Sequence, residues 1–111
     1  MTGRSWDDDI GSVLLECARA LDLDAVSDFV DTLIAEHSVD LLRYKGILAI
    51  AGEPRRLIFQ GVHRIAGFDY GRPWGENEMP VSRIVLIGRQ LPAADLRRRF
   101  LSAAGGASLA A

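Results

Sequence analysis

The chain has 111 residues, a formal net charge of −2 and a single cysteine, Cys17. This length favours one domain that buries roughly two thirds of its extended surface, and one cysteine excludes an internal disulfide. No apolar run approaches the roughly 20 residues of a membrane-spanning helix, and residues 1–4 lead into acids rather than the apolar core of a signal peptide. We therefore expect a cytoplasmic protein that does not contact a membrane.

Charge is distributed unevenly along the chain. Residues 1–40 contain ten acids and two bases, a net charge of −8, whereas residues 41–111 contain five acids and eleven bases, a net charge of +6. Two interpretations are open: solvated and loosely paired side chains, or a docking surface for another domain. The bases are dispersed over several predicted elements and are not interleaved with exposed aromatic residues, which argues against a nucleic-acid partner.

The first forty residues predict a linker, a strand and a helix. Residues 1–10 lack periodicity and contain three consecutive aspartates, which favours a solvated linker because the alternating ligands of a calcium loop are missing. Residues from 11 to about 21 alternate as in a strand. The helix follows an N-cap at Asp22 or Asp24. Its apolar residues have the i, i+3, i+4 spacing of one helix face and are Val26, Phe29, Val30, Leu33 and Ile34.

Residues 41–63 predict two strands joined by a tight turn at residues 51–54. Arg43 and Lys45 lie two apart in the first strand, so they share one of its faces. The second strand is expected to continue past residue 62, with one face made by Leu57, Phe59, Gly61, His63 and Ile65. Both faces of both strands are largely apolar, which predicts central rather than edge strands.

The next part of the chain is less regular. Residues 66–70 are expected to form a short strand or to extend the previous one. Residues 71–80 are rich in turn formers and predict a loop. Trp74 in this loop either packs on the core or presents an aromatic anchor to a partner, since tryptophan is favoured in binding hot spots.

A last strand and a second helix complete the predicted domain, which spans residues 11–104. Residues 81–88 alternate as a strand, and a helix begins near Pro92 and ends at the glycine pair 105–106. Residues 105–111 are expected to form a frayed tail. The element order β-α-β-β-(β)-β-α predicts an α+β two-layer sandwich, with two helices on one face of a mainly antiparallel sheet of four or five strands. The helical crossover after the first strand could add a parallel pair.

Catalytic motifs are missing from the sequence. There is no GxxxxGK[ST] phosphate loop, no CxxC or HExxH metal motif and no GxSxG nucleophile motif. Cys17, His37 and His63 are the potential soft metal ligands, and intervals of 20 and 26 residues separate them, so a shared site requires tertiary convergence. Structural roles compete with this site: a core cysteine, a histidine at a helix C-terminus and a sheet histidine.

Five segments, in this order, resemble the C-terminal domain of the CobW family of P-loop GTPases. They are DLLRYKGIL at 40–48, AGE at 51–53, FQGVH at 59–63, RPW at 72–74 and SRIVLIGR at 82–89, and the resemblance extends from about residue 7 to residue 104. Members of this family have an N-terminal GTPase domain and act as metallochaperones or metal-insertion factors, including proteins associated with cobalamin synthesis, zinc supply and nitrile hydratase activation.

The resemblance implies a non-catalytic accessory domain. The nucleotide loops and the CxCC motif of the family belong to the GTPase domain, so the GTP, magnesium and zinc or cobalt of the parent family are not carried over to this chain, for which we expect no cofactor. The implied partners are the N-terminal P-loop GTPase domain of the same protein and a client metalloprotein. A homo-oligomer is also compatible with the resemblance.

The resemblance also assigns candidate residues. Those for partner binding are Arg43, Lys45, Gln60, Trp74 and Arg83, and the structural signature consists of Gly46, Gly61 and Gly88. We hypothesise that Arg43 and Lys45 contact the GTPase domain or a client. The alternative is that they pair with acids of the first helix, namely Asp28, Asp31 or Glu36. The competing function is transient binding of zinc or cobalt through His63, His37 or Cys17.

Overall fold

The computed structural model of the protein describes residues 10–104 as a five-stranded sheet with two helices. Adjacent strands are all antiparallel and follow the order β1-β5-β2-β3-β4. The elements are β1 (Ile10–Cys17), α1 (Leu23–His37), β2 (Leu41–Leu48), β3 (Arg55–Val62), β4 (Ile65–Pro73), β5 (Ser82–Arg89) and α2 (Ala93–Ser102). The predicted α+β two-layer fold is therefore confirmed, and β2 and β3 are interior strands as expected.

The predictions for the two ends of the chain fall mostly outside the described residues. The expected linker at 1–10 overlaps the described part only at Ile10, which belongs to β1. The expected helix end at 105–106 and the tail at 105–111 lie beyond it. Neither described helix has the length and apolarity required to cross a membrane.

Both helices pack against one face of the sheet. The Asp22 side chain caps α1 by accepting a hydrogen bond of 3.0 Å from the Ala25 amide, which satisfies one of the free N–H groups of the first turn. The Phe29 and Phe100 rings join α1 to α2 at 5.6 Å between centroids. The core between helices and sheet includes Leu15, Val26, Leu33, Leu41, Leu48, Phe59, Ile84, Leu86, Leu96 and Phe100. We call this side of the sheet the covered face.

The first strand does not form the parallel pair that its helical crossover suggested. It pairs antiparallel with β5, from Ile10 opposite Arg89 to Cys17 opposite Ser82. Strands β1 and β2 do run in the same direction, but β5 lies between them, so they share no ladder. One isolated parallel bridge, from Leu21 to Ile50, is all that joins the two segments within residues 10–104. Strand β1 also ends four residues earlier than expected.

The second strand of the central hairpin is shorter than predicted. Strand β3 ends at Val62, and His63 has a left-handed backbone (φ 52°) in a turn that reverses the chain into β4. His63 and Ile65 are therefore not on the covered face, and Ile65 is 77% exposed. Residues 66–70 belong to a separate strand, which was one of the two predicted alternatives. This strand continues to Pro73, although residues 71–80 were predicted to be a loop.

Candidate docking surface

The side of the sheet opposite the helices is exposed and partly apolar. Because residues directly opposite each other on adjacent strands share a face, the strand register divides this side into three rows. The first row is Ser12, Ile87, Arg43, Val62 and Ile65; the second is Leu14, Val85, Lys45, Gln60 and Gly67; the third is Glu16, Arg83, Ile47, Ile58 and Asp69. We call these three rows the open face.

The apolar residues of the open face are distributed over all five strands. Exposed fractions are 43% for Leu14, 40% for Val85 and 49% for Val62, and Ile47 and Ile87 are similar. Single exposed aliphatic residues are normal in soluble proteins. A set that runs across a whole sheet is a different case, because contiguous apolar patches of this kind mark interaction sites.

Arg43 and Lys45 lie side by side at the centre of the open face, on the middle strand. Both are exposed, and their cross-strand neighbours are Val62 and Ile87 for Arg43 and Gln60 and Val85 for Lys45. The sequence therefore predicted their shared face correctly. The structure places Gln60 directly beside Lys45, on β3.

The acids of α1 lie on the other side of the sheet. Within residues 10–104, neither Arg43 nor Lys45 forms an ion pair with Asp28, Asp31 or Glu36, the pairing that stood as the alternative. Glu36 instead lies 3.0 Å from the Arg99 guanidinium of α2. Among the described residues, the two central bases are therefore exposed and take part in no ion pair.

Arg83 occupies the third row and has a partner within the domain. Its Nε lies 2.5 Å from Glu16 Oε2 on the neighbouring strand β1. Both side chains are about half exposed, so this pair adds little to the free energy of unfolding. Arg83 is therefore the one candidate base of the open face whose charge is already matched by a carboxylate of residues 10–104.

The loop after β4 is held against the open face by Arg56. The Arg56 guanidinium lies 4.5 Å from the centroid of the Trp74 ring, donates 3.1 Å to the carbonyl of Arg72 and lies 2.7 Å from Glu78 Oε1. The Gly75 amide also donates to Glu78, and these bonds hold the pKa of the Glu78 carboxyl below its usual range. We call this arrangement the Arg56 clamp; neither Arg56 nor Glu78 was singled out from the sequence.

Trp74 neither joins the buried core nor projects freely. Its ring stacks on Arg56 at the margin of the open face, outside the core cluster of the described residues, and its indole N–H is buried without a partner there. Trp74 lines a groove of about 550 Å³ whose apolar lining also includes Ile47, Ile58 and Met79. Lys45 lines the same groove. Trp74 is thus not part of the described core, and its role as an aromatic anchor for a partner stays a prediction.

The three signature glycines lie where backbone and side chains approach most closely. A Cβ on Gly46 would overlap the Arg83 carbonyl oxygen, and one on Gly88 would overlap that of Asp40. A Cβ on Gly61 would overlap the Tyr44 ring, whose hydroxyl donates 2.8 Å to the carbonyl of His63. Burial raises the pKa of Tyr44, so this hydroxyl remains a donor at neutral pH.

The three candidate metal ligands do not meet. Cys17 is buried beside Ser82 at one end of the sheet, whereas the His63 amide bonds to Leu42 at the other end. His37 ends α1, and the His63 ring nitrogen lies 3.4 Å from the carbonyl of Ser38. Among residues 10–104, no three side chains of His, Cys, Asp or Glu come together as a metal-binding group. The donor set does not fit a shared zinc or cobalt site.

Comparison with known proteins identifies the family. Residues 10–104 match the model of the cobalamin synthesis protein cobW C-terminal domain. The chain belongs to this family. The match covers the whole described sheet and both helices, including the open face.

Two curated relatives of this CobW-type domain are zinc chaperones. The zinc chaperone YjiA of Escherichia coli (strain K12) is 47% identical over 92 residues, which is 83% of this chain and 29% of YjiA. The zinc chaperone CobW of Sinorhizobium sp is 37% identical over 81 residues, 73% of this chain and 22% of that protein. The chain therefore spans less than a third of these relatives.

A solved structure supports the fold assignment of this CobW-type domain. The crystal structure of Zn(II)-bound YjiA GTPase from E. coli superposes with a TM-score of 0.82 at 45% identity, and covers 86% of this chain and 30% of the YjiA chain. The solved relative therefore contains a domain of the same fold within a larger protein.

Proposed function

We propose that this chain acts as a non-catalytic accessory domain of a CobW-like zinc chaperone in the cytoplasm, and that its open face docks the GTPase domain of that protein. The position of Arg43 and Lys45 supports the proposal. Both bases lie in the middle of an exposed, partly apolar sheet face, opposite the helices that complete the core of the domain. A client metalloprotein is the second partner for which the same face is suited.

The apolar rows give this docking its driving force. Burial of apolar surface contributes about 25 cal/mol per Å², and it is the main favourable contribution to association. Val85, Ile87 and Val62 are exposed by more than a third each, so a partner that covers them removes apolar area that the fold itself leaves in water. Arg43 and Lys45 then orient the partner and favour the correct one.

Zinc enters this proposal as cargo of the whole protein. The relatives are named zinc chaperones, and Cys17, His37 and His63 do not converge on a site within the described residues. The domain thus contributes recognition, and metal handling belongs to the rest of the chaperone.

The test is a binding measurement with the double variant Arg43→Ala/Lys45→Ala. The partner is the part of YjiA that this chain does not match, and titration calorimetry measures its affinity. We expect about tenfold weaker binding, because two interfacial charges are lost. The control is Arg98→Ala, which removes an exposed base of α2 that pairs with Asp95 of the same helix. Unchanged affinity of a folded Arg43→Ala/Lys45→Ala variant would sink the docking proposal.

A further inference from the structure

The two rows of the open face that contain Arg43 and Lys45 have no acid. In the first row the other positions are serine, valine and two isoleucines, and in the second row they are leucine, valine, glutamine and glycine. Glu16 and Asp69 both belong to the third row. Positive charge at the centre of the open face is therefore unmatched by any register neighbour.

Two nearby bases show the opposite arrangement. Arg83 lies 2.5 Å from a Glu16 oxygen and Arg56 lies 2.7 Å from a Glu78 oxygen. Within residues 10–104, Arg83 and Arg56 are thus each paired with a carboxylate, whereas no ion pair of these residues involves Arg43 or Lys45. An approaching surface that covers this pair must supply negative charge, since covering two cations among aliphatic side chains without counter-charges is costly.

The groove beside Lys45 favours a partner that carries an apolar side chain. Its apolar lining includes Ile47, Ile58, Trp74 and Met79, and the Arg56 clamp holds Trp74 in place. Its volume of about 550 Å³ accommodates a large apolar side chain. Because Lys45 lines the groove, an anchor in the groove and a carboxylate on Lys45 can belong to one short segment.

We propose that the open face binds an acidic amphipathic segment of its partner, whose carboxylates meet Arg43 and Lys45 and whose apolar side chain enters the Trp74 groove. The proposal rests on the proposed function, because it names the chemistry of the partner for the same face. It adds that recognition requires acid on the partner, whereas the proposed function requires only docking.

A second copy of this chain is the less favourable occupant. A two-fold interface brings the same patch of both copies together, so Arg43 and Lys45 of one copy would approach those of the other. Like charges that are covered together oppose association. The charge of the face thus favours a partner of opposite sign over self-association.

The experiment uses the full chain and short synthetic peptides. The first peptide alternates leucine and glutamate, the second leucine and glutamine, and the third leucine and lysine. Amide NMR signals of the isotopically labelled chain report binding and its location. We expect the leucine–glutamate peptide to shift signals of β2, β3 and β5 and to bind about tenfold more tightly than the leucine–glutamine peptide at low salt.

Charge exchange supplies the decisive variant. The chain with Arg43→Glu/Lys45→Glu should no longer bind the leucine–glutamate peptide and should instead bind the leucine–lysine peptide. Both substitutions fall on exposed positions, and retained NMR dispersion verifies the fold. The control Arg98→Glu, on α2, should bind all three peptides as the unmodified chain does.

Four outcomes would overturn the proposal. They are equal binding of the glutamate and glutamine peptides, signal shifts confined to the helices, equally tight binding of a thymidine oligonucleotide, and self-association that Arg43→Glu/Lys45→Glu abolishes. If the chain docks the GTPase part of YjiA yet shows any of these outcomes, the acidic-segment proposal fails while the proposed function stands. If the chain does not bind the GTPase part of YjiA but the peptides bind as expected, the assignment of the GTPase domain as the partner fails. The requirement for an acidic segment on the partner then still stands.

Discussion

The two faces of the sheet are built from the same strands, but the helices cover only one of them. In β5 the covered face carries Ile84 and Leu86, both fully buried, and the open face carries Val85 and Ile87, which are 40% and 37% exposed. Both faces of β5 thus carry apolar residues, but only those on the covered face are buried in the core under the helices. The open face therefore contributes less to the core than the covered face does, and under our proposal a partner removes its aliphatic side chains from water.

The largest expected effect is a difference in the loss of unfolding free energy between two isoleucines of β5, one on each face of the sheet. Ile84→Ala should lower the free energy of unfolding by about 2–5 kcal/mol, because it leaves a cavity in the core. Ile87→Ala should lower it by less than about 1 kcal/mol, since this side chain is 37% exposed. Urea unfolding followed by circular dichroism measures both. Equal losses would show that the open face also belongs to the folding core.

A smaller loss of unfolding free energy is expected at a glycine on the covered face, where β2 and β5 approach each other closely. Gly46→Ala should cost about 1–3 kcal/mol of unfolding free energy, because the new Cβ overlaps the Arg83 carbonyl and Ile84. Gly67→Ala is the matched control in β4, where a Cβ meets nothing within 4 Å, and it should be neutral or slightly stabilising. The same unfolding assay applies. A neutral Gly46→Ala would mean that β2 and β5 move apart at little cost.

The smallest effect is a pH dependence at the edge of the open face. The pKa of Glu78 is lowered, first by the Gly75 amide and then by Arg56. The carboxylate therefore stabilises the clamp above its unfolded pKa, and this contribution is lost as the pH falls through the lower folded pKa. Fluorescence of Trp74, recorded in the variant Trp6→Phe, should change in that acidic range. Glu78→Gln should abolish the change; a transition that persists in this variant would assign it to another group.

Local patterns predicted most of the covered face. The spacing of Val26, Phe29 and Leu33 defined the apolar side of α1, and the alternation in β5 placed Ile84 and Leu86 together, as observed. These predictions depend only on neighbours in the sequence. The fold class followed from them because two amphipathic helices and a sheet have few ways to bury their apolar faces.

Two errors came from structure that the local sequence does not encode. The turn after Val62 contains no glycine, asparagine or proline, so the left-handed conformation of His63 left no signal, and Ile65 was assigned to the wrong strand. The pairing of β1 with β5 joins Cys17 to Ser82, a contact between distant parts of the chain. Helical crossovers usually join parallel neighbours, and nothing local indicates that β5 enters between them.

The candidate site was predictable in part. Alternation placed Arg43 and Lys45 on one face, but it could not say which face the helices cover, because both faces of β2 are largely apolar. The Arg56–Glu78 contact spans 22 residues and was likewise beyond local reasoning. Tertiary packing therefore decides that the two bases lie on the exposed side.

The most direct measurement of the docking claim is the rate at which a thiol reagent modifies a cysteine on each side of the domain. Val85→Cys lies on the open face and Ala94→Cys lies on an exposed position of α2, while the native Cys17 is 4% exposed and reacts slowly in both variants. Addition of the GTPase part of YjiA should slow modification at position 85 and leave position 94 unchanged. Protection at position 94 with none at position 85 would contradict docking through the open face.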